Sequence, residues 1–349
     1  MNPKNRRILR LGMALVATAL IASGCASDAK PDEITLLTHD SFALSEGVLE
    51  EFTEKTGVKV NIQMSRDAGT MLNQAILTMD NPIADVIYGI DNTFLSRAVS
   101  AGLFVPYTAV GIDTVNILLR VEHDAATPIN FGDVCINYDI EGLAALGVPP
   151  PATLDDLLLP QYEGLLVVQD PATSSPGLAF LMATIAAYPD GAEYDWQAYW
   201  TDLFANGVVV ASDWSDAYYT RFSRSGGAQP LVVSYASSPP AEVFFGGLSE
   251  APTGVMTEGC FRQIEYAGIL AGTEHESTAR LFIDFLLSKT VQEDIPLNMF
   301  VFPANTEAVL PQVFVDFTTL PESPAVMAPG TIHENRERWI QEWTAIARS

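Results

Sequence analysis

Apolar positions switch between two spacings along this chain, and the switches mark out its elements. Residues 34–37 are a short apolar run suited to a buried strand. From about residue 45 the period lengthens: Val48, Leu49 and Phe52 share one helical face, and the pattern stops near Gly57. Residues 58–64 (VKVNIQM) alternate as a strand does. Over residues 70–79, Met71, Leu72, Ala75, Ile76 and Met79 return to helical spacing, and ADVIYGID at 84–91 reads as a third strand. Strand–helix–strand–helix–strand order predicts a parallel sheet covered by helices.

A second unit of the same kind follows. INFGDVCINYD at 129–139 alternates as a strand and leads into PPPATLDDLLL, a proline-rich step that suits a domain crossing. Strands are predicted at 165–169, 208–211 and 231–239, and helices at 176–188 and 196–204. The strand at 259–270 would return the chain to the first unit, and helices at 276–287 and 335–347 close it. The expected architecture is α/β: one lobe from residues 33–137 plus 264–349, another from 138–263, and two crossing strands between them. Ligands in such sheets bind beyond the carboxyl ends of strands, near helix N-termini.

The first 25 residues follow a different logic. Lys4, Arg6, Arg7 and Arg10 precede an uncharged stretch over 11–22, and Ala22, Ser23 and Gly24 stand before Cys25. This is the layout of a secretory signal, and its small–small–Cys ending resembles the lipobox of bacterial lipoproteins. The apolar run is shorter than the roughly 20 residues a membrane-spanning helix needs. A signal peptide over 1–25, a lipidated Cys25 and a polar tether over 26–32 are expected, placing the chain outside the cytoplasm on a lipid anchor at the cell membrane.

Composition narrows the partners. The 349 residues carry a net charge of −25, and the leader holds four of the 18 basic residues and none of the acidic ones, so the mature chain is more acidic still. Such a field repels nucleic acid and anionic lipid. Hydrophobic residues at 48% supply full cores and argue against disorder. Beyond Cys25, the cysteines are Cys135 and Cys260, an even pair in an oxidising compartment that reads either as a disulfide or as two buried thiols.

Polar and aromatic residues cluster at the predicted strand ends. The first strand runs into His39, Asp40, Ser41 and Phe42, the third ends in Asp91 and Asn92, and Asp67 lies between the second strand and its helix. Acidic positions on one cleft edge suit a ligand with positive charge or amino groups, although each alone serves equally well as a helix cap. In QDPATSSPGLAF, Ser174 and Ser175 precede a helix whose free N–H groups could hold a phosphate or hydroxyl. Trp214, Tyr218 and Tyr235 supply rings that could stack on a heterocycle or sit over a cation.

With these residues in view, the chain resembles the thiamine-binding proteins of bacterial ABC importers, two-lobed members of the type II periplasmic binding proteins. The matching pieces are DSFA, ADVIYGIDN, AGLF, DPATSSPGL, DWSDAYY, LVVSYASSP, EGCFRQIEYAG and RERWIQEW, in the family's order across nearly the whole mature chain. The resemblance implies a monomeric receptor, not an enzyme, that needs no cofactor and delivers thiamine, a thiamine phosphate or a pyrimidine precursor to an ABC permease. It implies that Trp214 stacks on the heterocycle, that Asp67 accepts from an exocyclic amine, that Ser174 donates to the polar tail, and that Tyr235 lines the cleft. The chain departs from the family at His39, where a tyrosine is usual, at Phe300, where a tryptophan is usual, and in lacking a further aromatic after DSFA.

Two other functions fit parts of the pattern. The tandem Tyr218–Tyr219 resembles the tyrosines of ferric-ion-binding members of this fold, with His39 or Asp40 as supporting ligand. Thiamine-cleaving transferases also resemble the fold and use a cysteine nucleophile, for which Cys135 with Glu258 as base would be the candidates. No GxSxG elbow, HExxH helix or P-loop is present.

Overall fold

The computed structural model describes residues 31–349; the expected signal peptide, the expected lipidation of Cys25 and most of the expected tether fall outside them. The described part is one compact unit. The elements run β1 (Glu33–Thr38), α1 (Val48–Thr56), β2 (Lys59–Met64), α2 (Ala68–Leu77), β3 (Val86–Asp91), α3 (Leu95–Ser100), β4 (Phe104–Val105) and β5 (Thr127–Asp139). They continue through α4 (Ile140–Leu146), β6 (Leu166–Gln169), α5 (Ser175–Ala187), α6 (Trp196–Ala205), β7 (Val209–Ala211), α7 (Trp214–Asp216), β8 (Leu231–Tyr235) and α8 (Ser238–Gly246). β9 (Thr253–Leu270), α9 (Glu276–Leu286), α10 (Lys289–Asn298), β10 (Phe302–Pro303), α11 (Gln312–Phe317) and α12 (Pro329–Ala347) complete the chain.

The strands join in the order β2-β1-β3-β9-β5-β8-β6-β7, with β4 on β9 and β10 on β5. Both outer thirds are parallel, as expected: β2, β1 and β3 on one side, and β8, β6 and β7 on the other. The middle is antiparallel. β5 and β9 pair with each other over most of the length of β5 and belong to both halves. This is a two-lobed α/β fold in which β5 and β9 are the crossing strands.

The crossing is fastened covalently and by charge. Cys135 on β5 and Cys260 on β9 form a disulfide that links positions 125 residues apart. Beside it, Arg262 Nη2 donates to Asp133 Oδ2 at 3.0 Å, and the guanidinium lies 5.0 Å from the Phe131 ring centroid. The disulfide pair therefore sits at the junction, with both thiols consumed.

Local chemistry explains where the elements stop. Gly57 takes φ +73 and closes α1 by donating its N–H to the Thr53 carbonyl, a conformation that favours glycine. Helix α5 (SPGLAFLMATIAA) is apolar all round and is buried without a break from Ser175 to Ile185, so it fills the core between sheet and outer helices. α12 packs against both α3 and α6. Its Trp343 meets Trp200 edge-on at 5.4 Å, and Arg336 lies 4.4 Å above the Phe94 ring.

The differences from the sequence reading fall at element ends and in helices it did not predict, among them α3, α4, α8, α10 and α11. The expected strand over 231–239 stops at Tyr235, because Ser238, Pro239 and Pro240 open α8 instead. The returning strand begins at Thr253, six residues earlier than expected. The last helix starts at Pro329 rather than near residue 335. Among the described residues, no helix is long and apolar enough to cross a membrane.

Candidate functional site

A cavity of about 810 Å³ opens between the two halves of the sheet. The turn after β1, the start of α2, the start of α5, α7 with the turn that follows it, α8, and the segment between α10 and β10 form its walls. Nine of the twelve residues singled out from the sequence line it: His39, Asp40, Ser41, Asp67, Ser175, Trp214, Tyr218, Tyr235 and Phe300.

The aromatic wall is built on one short helical segment. Trp214 and Tyr218 are four residues apart, so they share a face, and their rings stack with centroids 5.0 Å apart and planes 19° from parallel. The indole N–H of Trp214 donates to Ser234 Oγ at 3.0 Å, which fixes the ring's rotation. Tyr218 donates its hydroxyl to Glu242 Oε1 at 2.7 Å; burial first, then that carboxylate, pushes the phenol well above its ordinary pKa. The turn carrying Tyr218 and Tyr219 widens to π-helical spacing over Ala217–Arg221, a departure often found at functional sites.

Asp67 joins the two sides of the cavity. As N-cap of α2, its Oδ1 accepts from the N–H of Ala68 at 2.7 Å and from that of Ser175 at 3.1 Å. Its Oδ2 accepts from the N–H of Trp214 at 3.3 Å. Burial pushes this carboxyl up, and the hydrogen bonds it accepts pull against that rise. Next to it the N–H of Gly69 donates to the Thr173 carbonyl at 3.1 Å. A Cβ on Gly69 would stand 2.7 Å from that oxygen, so only glycine allows the two backbones this close. Across the same cleft, Ser215 Oγ donates to Asp40 Oδ2 at 3.0 Å.

His39 occupies a seat that β3 provides. A register shift between Tyr88 and Ile90 places Gly89 at φ +94, and a Cβ there would fall 2.2 Å from His39 Cδ2. The imidazole accepts the Ser41 N–H on Nδ1 and turns Nε2 toward Glu265 Oε1 at 3.4 Å. Burial lowers the pKa of this ring, but Glu265, Asp67 and Asp40 outweigh burial, and it titrates above the ordinary 6.5. Phe300 stands at φ +51, an uncommon setting for a bulky residue. Its carbonyl accepts Ser237 Oγ at 2.6 Å and its ring rests 5.4 Å from that of Phe245.

Three of the sequence candidates lie elsewhere. Asp91 is fully buried and spends its oxygens on the N–H groups of Thr93 and Phe94, the Thr93 hydroxyl and Gln263 Nε2. Burial pushes its pKa up to about 6. Asn92 is a clasp between chain segments, donating to the Arg262 carbonyl and accepting the Ile264 N–H, each at 3.0 Å. Ser174 is the N-cap of α5, one residue earlier than expected; it is fully buried and does not line the cavity. Asp91 serves the turn that follows it and Asn92 the neighbouring β9, while the buried Ser174 hydroxyl has no hydrogen-bond partner among the described residues.

Among the lining residues that the sequence reading did not single out are Glu242, Phe245 and Glu265. Glu265 left a sequence signal, a charged residue inside the otherwise buried run IEYAGIL, where an acid costs free energy unless it is partnered or used. Among the described residues, no group of three or more His, Cys, Asp or Glu side chains is placed to hold a metal ion.

The fold and the cleft define a class. Residues 81–316 match the model of the bacterial extracellular solute-binding proteins, and the chain belongs to that family. Within it, the chain is 30% identical over 336 residues to the thiamine-binding periplasmic protein of Brucella melitensis biotype 1, covering 94% of this chain and 95% of that one. The thiamine-binding periplasmic protein of Escherichia coli K12 is also 30% identical, over 92% of this chain and 95% of its own. Among solved structures, a periplasmic thiamin binding protein superimposes with a TM-score of 0.81 at 27% identity, covering 91% of this chain and 96% of that one.

Proposed function

We propose that this protein is an extracytoplasmic receptor that closes its two lobes on thiamine, a thiamine phosphate or a pyrimidine precursor and presents it to an ABC permease. The observation that carries this reading is the stacked Trp214–Tyr218 pair in a cavity whose other walls hold Asp40, Asp67, Glu242 and Glu265. An aromatic wall facing several carboxylates suits a flat, cationic, amine-bearing heterocycle. The similarity to thiamine-binding relatives over nearly their full length supports the same ligand class. We divide the lobes at 33–137 plus 264–349 and 138–263, and assign Cys25 as the lipid tether. Replacing Cys25 with Ser should release the protein from the membrane fraction, and continued membrane retention would refute the tether.

The ferric-ion reading is weaker on this geometry. Phenolate ligation of a trivalent metal would need a free Tyr218 hydroxyl, whereas that ring stacks on Trp214 and its hydroxyl donates to Glu242. The transferase reading lacks its nucleophile, since Cys135 is bridged to Cys260. Its proposed base, Glu258, accepts the N–H of Leu154 and does not line the cavity. The experiment is a titration of the mature chain, followed by tryptophan fluorescence, with thiamine, its phosphates, the pyrimidine moiety and ferric citrate.

A further inference from the structure

Four carboxylates line the cavity, and their hydrogen bonds separate their roles. Both oxygens of Asp67 are taken by backbone N–H groups. Glu242 holds the Tyr218 hydroxyl, and Asp40 is solvent-exposed and meets two serine hydroxyls. Glu265 differs. It projects from β9 beside the crossing, and its side chain is 12% exposed. Its Oε2 is anchored twice, by the Tyr88 hydroxyl at 3.0 Å and by Asn130 Nδ2 at 2.8 Å. Its Oε1 has only the His39 Nε2 contact at 3.4 Å, longer than an ordinary N–H···O bond. An ionised carboxylate has about four acceptor positions, so a rigidly held oxygen with spare capacity faces a cavity.

We propose that Glu265 is the residue that selects the ligand, its Oε1 accepting an amino or amidine-type N–H from the bound heterocycle. The proposal rests on the reading of the cleft as a receptor for thiamine-like molecules, and it moves the amine-accepting role from Asp67 to Glu265. Asp67 then serves closure and Glu265 serves recognition. Tyr88 and Asn130 aim the carboxylate before the ligand arrives, so little ordering remains to be done on binding. A ligand with a carbonyl in place of the amine would set an oxygen against Oε1 and be rejected, because two acceptors would face each other in a poorly solvated site.

The test compares thiamine with oxythiamine, in which the pyrimidine amine is replaced by a carbonyl, by calorimetric titration of the mature wild-type chain and of Glu265→Gln. The wild type should prefer thiamine by roughly tenfold to a hundredfold, the scale of a charge-assisted hydrogen bond lost. Glu265→Gln, checked for folding by circular dichroism and melting temperature, should lose most of that preference while keeping its affinity for oxythiamine. A variant that retains the wild-type preference overturns the assignment, as does one that loses both ligands equally. If Glu265→Gln does not fold, Glu265→Asp, which keeps the charge but withdraws the oxygen, is read in the same way, and equal wild-type affinity for the two ligands overturns the assignment. A wild type that binds neither ligand overturns the receptor reading, and this assignment with it.

Discussion

The carboxylate of Asp67, at the head of α2, accepts the backbone N–H of Trp214, 147 residues further along the chain, at 3.3 Å. One side chain thus ties the first half of the sheet to the segment that carries the aromatic wall. The same oxygen pair holds the N–H that opens α5, and the Gly69 N–H bond to Thr173 lies directly beside it. On the proposed receptor reading, binding and closure would share this seam, and the equilibrium between open and closed lobes would depend on how closely these backbones can approach.

Gly69→Ala tests that seam. The new methyl would stand 2.7 Å from the Thr173 carbonyl oxygen and 2.9 Å from Phe94 Cζ. Ligand affinity should fall by about 1–3 kcal/mol, the usual scale of overpacking, and small-angle scattering with saturating ligand should show a larger radius of gyration than wild type. A variant that closes and binds like wild type would remove the seam from the account.

Trp214→Ala should weaken ligand binding by about 1–3 kcal/mol by calorimetry, the scale of a lost stacking contact. The Tyr218 ring loses its stacked neighbour as well, so the melting temperature must be recorded alongside. Unchanged affinity would exclude the aromatic wall from binding.

The bridge between Cys135 and Cys260 closes a long loop at the crossing. Reduction, or Cys260→Ser, should cost about 2–5 kcal/mol of stability, read as a lower denaturation midpoint. The reduced protein should show no thiamine turnover. An unchanged midpoint would make the bridge mechanically idle, and turnover on reduction would revive the transferase reading.

Asp91 predicts a pH effect of definite sign. Its carboxyl titrates near 6 in the folded chain, against an ordinary 3.8, so between those values the folded state binds more protons than the unfolded one. Stability from this group is full below about 4 and is lost as pH rises through 6, by on the order of 3 kcal/mol. Asp91→Asn should lack that loss, so its stability relative to wild type should rise from pH 4 to pH 7. The partner can adapt, because Gln263 Oε1 has no hydrogen-bond partner and could accept the new amide once the Gln263 amide turns over. A constant difference across that range would show that Asp91 does not titrate there.

Much of the fold was legible in the periodicity because most of its strands and helices are long enough to show a period. β5 and β9 read as crossing strands since their buried runs are long and lie where the α/β order restarts. β4 and β10, of two residues each, carry no period and could not be seen. For the site, strand ends gave the right neighbourhood but could not separate cleft from turn. Asp91 and Asn92 follow the same strand-end rule as His39 and Asp40, yet the Thr93–Phe94 turn and β9 consume them. The roles of Asp67 and Glu265 depend on partners more than a hundred residues away, which no local pattern encodes.

The most direct test of the account is titration of the mature chain with thiamine under calorimetry, with ferric citrate run in parallel. The account predicts saturable one-to-one binding of thiamine with a dissociation constant on the order of 1 μM or tighter, a change in tryptophan fluorescence, and no comparable response to iron. Saturable iron binding without a thiamine response would contradict it.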